Sequence, residues 1–259
     1  MTEITDDQVK PLRKLNIYAG FLHLGSLIAV LVLANGTSIP VTATYLADAP
    51  GRGKYSDPVT LFDSRLAILI ALFLGLSAFF HFLVASPKFF ERYRASLKKR
   101  QNIFRWVEYS MSSSIMIILI LQLNGVSKLS TILAVFGVNA SMILFGWLQE
   151  KYTTPGDGDM LPFWFGCIAG SVPWIIVVFN LFSPGSPAGA ETPGFVYGIV
   201  GSLFVLFNCF AFVQYKQYKA KGKWENYLYG EKRYIVLSFV AKSLLAWQIF
   251  AGALAATSN

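Results

Sequence analysis

Lys242 stands near the middle of an apolar stretch, Tyr234-Ile-Val-Leu-Ser-Phe-Val-Ala-Lys-Ser-Leu-Leu-Ala-Trp-Gln-Ile-Phe250. An ammonium group at the centre of a bilayer costs about 2.5–3.5 kcal/mol on insertion scales, so a lysine kept there is a functional-site candidate by default. A lysine amine shielded from water in an apolar pocket is what imine formation with a carbonyl compound requires. Few other residues could act with it. Glu108 is the one carboxylate well inside an apolar stretch, with Arg105 three residues earlier on the same helical face. Ser238 lies one turn before Lys242, and the two histidines of the chain, His23 and His81, also fall in apolar stretches. Two chemistries suit this set. Lys242 and Glu108 can be a covalent attachment point and its counterion, or a salt bridge that explains both residues without any cofactor. The histidines suit temporary proton storage or plain helix-to-helix hydrogen bonds. Arg105 is either a snorkelling interfacial residue or a cytoplasmic gate paired with Glu150 and Glu231.

These residues need helices that cross a membrane. The chain has 259 residues, 54% hydrophobic and only 14% charged, against about 25% charged in soluble domains; its mean hydropathy is +0.51. Apolar runs long enough to span recur at about 15–34, 64–85, 103–124, 129–148, 162–182, 194–215 and 232–255. No soluble domain fits between them. The expectation is one all-α membrane domain over 1–259, a bundle of seven transmembrane helices. The polar N-terminus leads into a full span without a cleavage signal, which reads as a retained first helix. Cys167 and Cys209 fall inside spans and read as small packing residues.

The net charge of +8 is uneven. With seven spans, sixteen Lys and Arg share the side of the N-terminus, Lys10 to Arg233, against four on the other side: Arg52, Lys54, Arg65 and Lys128. The positive-inside rule then puts the N-terminus in the cytoplasm and the C-terminus outside. Short basic loops beside spans are accounted for by topology and anionic lipid, so nucleic-acid binding is not expected. The long external loop, 35–63, needs structure of its own; its Ser-Ile-Pro-Val-Thr-Ala-Thr-Tyr-Leu run predicts a short strand or hairpin, lining a dimer contact or packing over helix ends. From Pro87 to Asn102, Phe89, Phe90, Tyr93 and Leu97 share one face of a basic helix that suits the headgroup region. Pro173 predicts a local kink in the fifth span. No metal cluster, nucleophile triad or phosphate loop is present in the sequence, so an enzyme is not expected.

Depth relates the charged groups. The third and seventh spans run the same way, and Lys242 lies deeper than Glu108 by roughly 5–8 Å at 1.5 Å per residue. Helical side chains lean towards the helix N-terminus, so the lysine stem reaches down towards Glu108 and passes Ser238.

Seven helices with a carboxylate on the third and a lysine in the seventh resemble a retinal-binding rhodopsin. The inverted orientation, Ser238 in place of an aspartate, and a sixth helix without tryptophan separate the chain from ordinary microbial pumps. Those departures are similar to heliorhodopsins. The likeness rests on Gln101-Asn-Ile-Phe-Arg-Trp-Val-Glu-Tyr-Ser110, Phe136-Gly-Val-Asn-Ala-Ser-Met-Ile-Leu-Phe-Gly-Trp-Leu-Gln-Glu150, Leu161-Pro-Phe-Trp-Phe-Gly-Cys-Ile-Ala-Gly170 and Ser238-x-x-Ala-Lys242. It implies all-trans retinal joined to Lys242 as a Schiff base, Glu108 as counterion, and Ser238 as a hydrogen-bond partner. Tyr109, Ser112, Asn139, Met142, Trp164, Trp174 and Phe207 would then face the chromophore, and His23, Ser77, His81 and Asn102 a polar cavity. The resemblance also implies a homodimer in the cell membrane and a slow photocycle suited to signalling through a cytoplasmic or membrane partner. A light-driven or light-gated ion transporter is the alternative.

Overall fold

The structure is a computed structural model that describes residues 4–182 and 192–257. Its elements, in chain order, are α1 (Asp6–Leu33), β1 (Ser38–Ala43), β2 (Val59–Arg65), α2 (Leu66–Ala85), α3 (Pro87–Lys98), α4 (Ile103–Leu123), α5 (Leu129–Tyr152), α6 (Leu161–Phe182), α7 (Gly194–Lys219) and α8 (Tyr227–Thr257). Among the described residues, seven of the eight α-helices are long and apolar enough to cross a membrane; α3 is the exception. The protein is thus a seven-helix integral membrane bundle with one two-stranded sheet.

The outer helices start earlier than hydropathy alone predicts. α1 begins at Asp6, where Asp6 and Asp7 suit the positive end of the helix dipole, and α8 begins at Tyr227. α6 runs unbroken through the buried Pro173. α3 starts with Pro87 at its first position, where no amide hydrogen bond is forfeited. It ends where Arg100 takes a left-handed backbone, φ 57°.

The long loop is a hairpin. β1 pairs antiparallel with β2, Ser38 opposite Arg65 through Ala43 opposite Val59, with an irregularity between Val41 and Thr42. The expected hairpin is therefore present; its second strand runs to Arg65, so the second span begins at Leu66 and not at residue 64. The hairpin rests on the α4–α5 connection, where the Thr42 amide donates to the Ser127 carbonyl at 2.9 Å and the two hydroxyls lie 3.0 Å apart. Val59, Leu61 and Phe62 on β2 remain exposed.

The two halves of the bundle are filled differently. Towards the hairpin end, Phe73, Leu74, Ile117, Ile120, Leu203 and Leu245 belong to one apolar cluster without solvent exposure. Lipid is as apolar as these side chains, so close packing rather than water exclusion holds this half together. Neutral pairs such as Ser202 with Gln248 are the polar contacts there. Towards the opposite, basic end lie buried ionisable residues, His23, Arg105, Glu108, Glu150 and Glu231, with the buried Asn16, Ser77 and Asn102 among them.

Candidate functional site

The lean of the α8 side chains brings Lys242 onto α4. Its Nζ donates to Glu108 Oε1 at 2.7 Å and to Ser238 Oγ at 2.9 Å. Both charged side chains are about as buried as core leucines, 4% and 6% exposed. The Ser77 hydroxyl, from α2, donates to the same carboxylate oxygen at 2.7 Å. Three helices therefore meet on one carboxylate. Charge-assisted hydrogen bonds of this kind are roughly twice as strong as neutral ones, and each removes part of the cost of a buried anion.

Glu108 borders a polar cavity on the basic side of Lys242, lined also by Asn16, Ser77, His81, Asn102, Arg105 and Glu231. His81 Nδ1 lies 2.7 Å from Asn16 Oδ1. His23 stacks on His81, ring centroids 5.5 Å apart, but packs behind it and does not line this cavity. Neither His23 nitrogen has a hydrogen-bond partner among the described residues.

At its basic end the cavity is closed by an ion cluster. Arg105 Nη2 donates to Glu150 at 2.6 Å, and Nη1 pairs with Glu231. Asn102 gives its amide to Glu150 at 2.8 Å and its side-chain Nδ2 to Glu231 at 2.9 Å. Tyr227 and the Trp106 indole also donate to Glu150. The guanidinium lies between the rings of Trp106 and Tyr234, 4.5 and 4.1 Å from their centroids. So Arg105 does not snorkel: it is enclosed by α4, α5 and α8.

On the other side of Lys242 runs an apolar cleft lined by Tyr109, Ser112, Met142, Phe207, Phe210 and Ser238. Met142 and Phe207 also line a wider groove that includes Trp174 and Phe204, where α6 and α7 meet only briefly. Gly170 makes room here, because a Cβ in its place would collide with the Met142 side chain. Tyr109 is the partition: it lines both cavity and cleft, and its hydroxyl donates to the Tyr234 carbonyl at 2.9 Å. Asn139 sits one layer back, donating to Ser113 and Ser114 at 2.9 and 3.1 Å. Trp164 is a correction: it is 52% exposed, packs edge-on against Phe163 and lines none of these spaces, because it faces outward from the first turn of α6.

A long apolar molecule with a terminal carbonyl fits what these residues offer. The amine stands at the junction of an apolar cleft and a polar cavity, and the Ser112 hydroxyl on the cleft wall is buried without a partner among the described residues. Sequence reasoning missed Asn16, Tyr93, Trp106 and Tyr227. Asn16 had a signal, since it precedes His23 by seven residues and so lies on the same helical face.

The heliorhodopsin family model matches residues 12–254. Among curated proteins, none matches the sequence. Among solved structures, the chain is similar to a light-driven proton pump from Leptosphaeria maculans. The two share 13% identity, with a TM-score of 0.65 over 97% of this chain and 98% of that one. This likeness concerns the fold.

Proposed function

The chain belongs to the heliorhodopsin family, a retinal-based light-responsive family, and from that premise we propose that it is a sensory photoreceptor rather than an ion pump or an enzyme. All-trans retinal, held on Lys242 as a Schiff base, supplies visible absorption and a change of shape on illumination. The observation that carries the reading is the buried contact of Lys242 with Glu108, at the junction of cleft and cavity.

Each residue has a task in this proposal. Glu108 holds the compensating negative charge, Ser77 donates to its carboxylate, and Ser238 accepts from the Lys242 nitrogen. Met142, Phe207, Trp174 and Tyr109 exclude water and orient the apolar body of the ligand. A proton leaving the Lys242 nitrogen passes to groups on the basic side, where His81 and Glu108 face the cavity and His23 stands behind. The hairpin half supports return by the same route, because its core is apolar and its partly buried polar pairs are neutral. Transport needs titratable groups on both sides of the switch.

The basic end faces the cytoplasm in this reading, in the cell membrane, with the C-terminus outside. A second copy of the chain is the expected partner in the bilayer, and the exposed apolar face of β2 is consistent with it. A cytoplasmic or membrane partner receives the signal. Nucleic acid is not a partner. A light-driven or light-gated proton transporter is the second reading, favoured by the fold shared with a proton pump.

Two measurements decide. Purified protein given all-trans retinal should gain a visible band that Lys242→Ala lacks; a band that survives the substitution refutes covalent attachment at Lys242. Illuminated cells should show no sustained, protonophore-sensitive pH change. Such a change would establish the transporter instead.

A further inference from the structure

Asn16 makes contacts in two directions. Its Nδ2 donates to the Leu12 carbonyl, one turn back on α1, at 2.8 Å, and lies 3.5 Å from the Tyr93 hydroxyl on α3. Its Oδ1 lies 2.7 Å from His81 Nδ1 on α2. The Leu12 carbonyl can only accept, which fixes the amide orientation and leaves Oδ1 facing His81. Oδ1 can only accept as well, so His81 must carry its hydrogen on Nδ1. Nε2 is then the nitrogen of the neutral ring that can take a proton.

α3 is otherwise joined to the cavity through its C-terminal end. The linker after Lys98 leads directly to Asn102, which lines the cavity and binds Glu150 and Glu231. Tyr93 itself is 1% exposed and lines the cavity on its α3 side. Outside, α3 is held to the start of α1 by ion pairs of Asp6 with Arg94 and Lys98, at 3.1 and 2.7 Å. These are partly exposed and therefore weak. Lys88, Arg92 and Lys99 lie on the exposed surface of the helix and its C-terminal cap.

We propose that Asn16 is a positioning residue linking His81 to Tyr93, and that this relay makes α3 the element whose docking follows the state of the cavity. The inference rests on the photoreceptor reading and adds where its signal leaves the membrane. A proton taken up at His81 Nε2 makes Nδ1–H a charge-assisted donor and tightens its bond to Asn16 Oδ1. The adjustable link is the 3.5 Å contact to Tyr93, at the outer limit of a hydrogen bond, where a small shift of the amide makes or breaks it.

The test uses the full chain with all-trans retinal in lipid nanodiscs. Arg92→Cys carries a spin label, after Cys167 and Cys209 are replaced by alanine. Light should change the label's mobility in this parent. Tyr93→Phe keeps the ring in the apolar cluster that holds α3 but removes the hydroxyl, and should reduce the light-minus-dark difference to about half or less, since the contact with Asn16 is lost. Its visible band should not move, because the relay contacts neither Lys242 nor Glu108. Asn16→Leu is close in volume and removes the amide's contacts to both His81 and Tyr93, and should reduce the difference at least as far as Tyr93→Phe. A purely structural Tyr93 would lower dark-state stability and leave the difference unchanged; that result overturns the relay. A complete photocycle with a silent label in the parent overturns it too, while leaving the photoreceptor reading intact. Absence of any photocycle removes both.

Discussion

Replacing Arg105 with methionine should be among the most damaging single changes in the bundle, and charge rather than shape should be the cause. Arg105, Glu150 and Glu231 have side-chain exposures of 4%, 1% and 0%. At an effective dielectric of about 20, unit charges 2.6 Å apart attract by about 6 kcal/mol. Desolvation of all three groups offsets much of that, so the cluster's net contribution is small. Breaking it is another matter: Arg105→Met leaves two buried carboxylates facing each other, and losing one partner of a buried pair costs about 3–5 kcal/mol. For a chain of this length that corresponds to roughly 6–20 °C in the midpoint of thermal unfolding. The assay is thermal loss of the visible band of the retinal-loaded protein. The control is the triple variant Arg105→Met, Glu150→Gln, Glu231→Gln, which has lost every charge of the cluster and should recover most of the decrease. If the triple variant is as unstable as the single one, the loss comes from packing against Trp106 and Tyr234, and the electrostatic reasoning is refuted.

Three further outcomes are expected. Glu108→Gln removes the anion 2.7 Å from Lys242 Nζ, so the visible band should either bleach towards the near-ultraviolet or move to longer wavelength, as replacement by a solution anion decides; an unchanged spectrum from acid to alkaline pH rules out the counterion role. His23→Phe with His81→Phe should slow or alter recovery of the dark state without creating net proton transport, and a photocycle indistinguishable from the parent counts against histidine storage. A C-terminal tag on intact cells should react with an impermeant reagent from outside, whereas one reached only after permeabilisation reverses the orientation.

The spans were legible because hydropathy acts over twenty residues at a time. The approach of Lys242 to Glu108 and Ser238 was legible too, because helical rise and side-chain lean fix axial depth without reference to neighbouring helices. What could not be read depends on azimuth and crossing. Ser77 could be assigned to the polar cavity, but its bond to Glu108 depends on how α2 is rotated against α4. Tyr93 could be placed on the apolar face of a helix at the headgroup region, yet its contact with Asn16 depends on α3 folding back across the end of α1. Trp164 looked like a chromophore neighbour by motif and faces outward in the fold. A strand or hairpin in the long loop was legible from its β-branched run, but not the bounds of the second strand, Val59–Arg65, because its apolar side chains stay exposed and Asp63-Ser64-Arg65 interrupts any alternating pattern.

The unequal filling of the two halves also bears on how the protein meets the membrane potential. A unit charge carried across a full 100 mV exchanges about 2.3 kcal/mol with the field. The ionisable groups around Lys242 all lie towards one end of a hydrocarbon layer about 30 Å thick, so a proton moving among them covers about a sixth of that depth. The associated energy is then roughly 0.4 kcal/mol per 100 mV, about a twofold change in rate. A pump must work against that voltage and slows as it grows. This protein's photocycle should therefore shift by no more than about twofold between an energised membrane and a depolarised one, against roughly fiftyfold for a unit charge that crosses the full 100 mV.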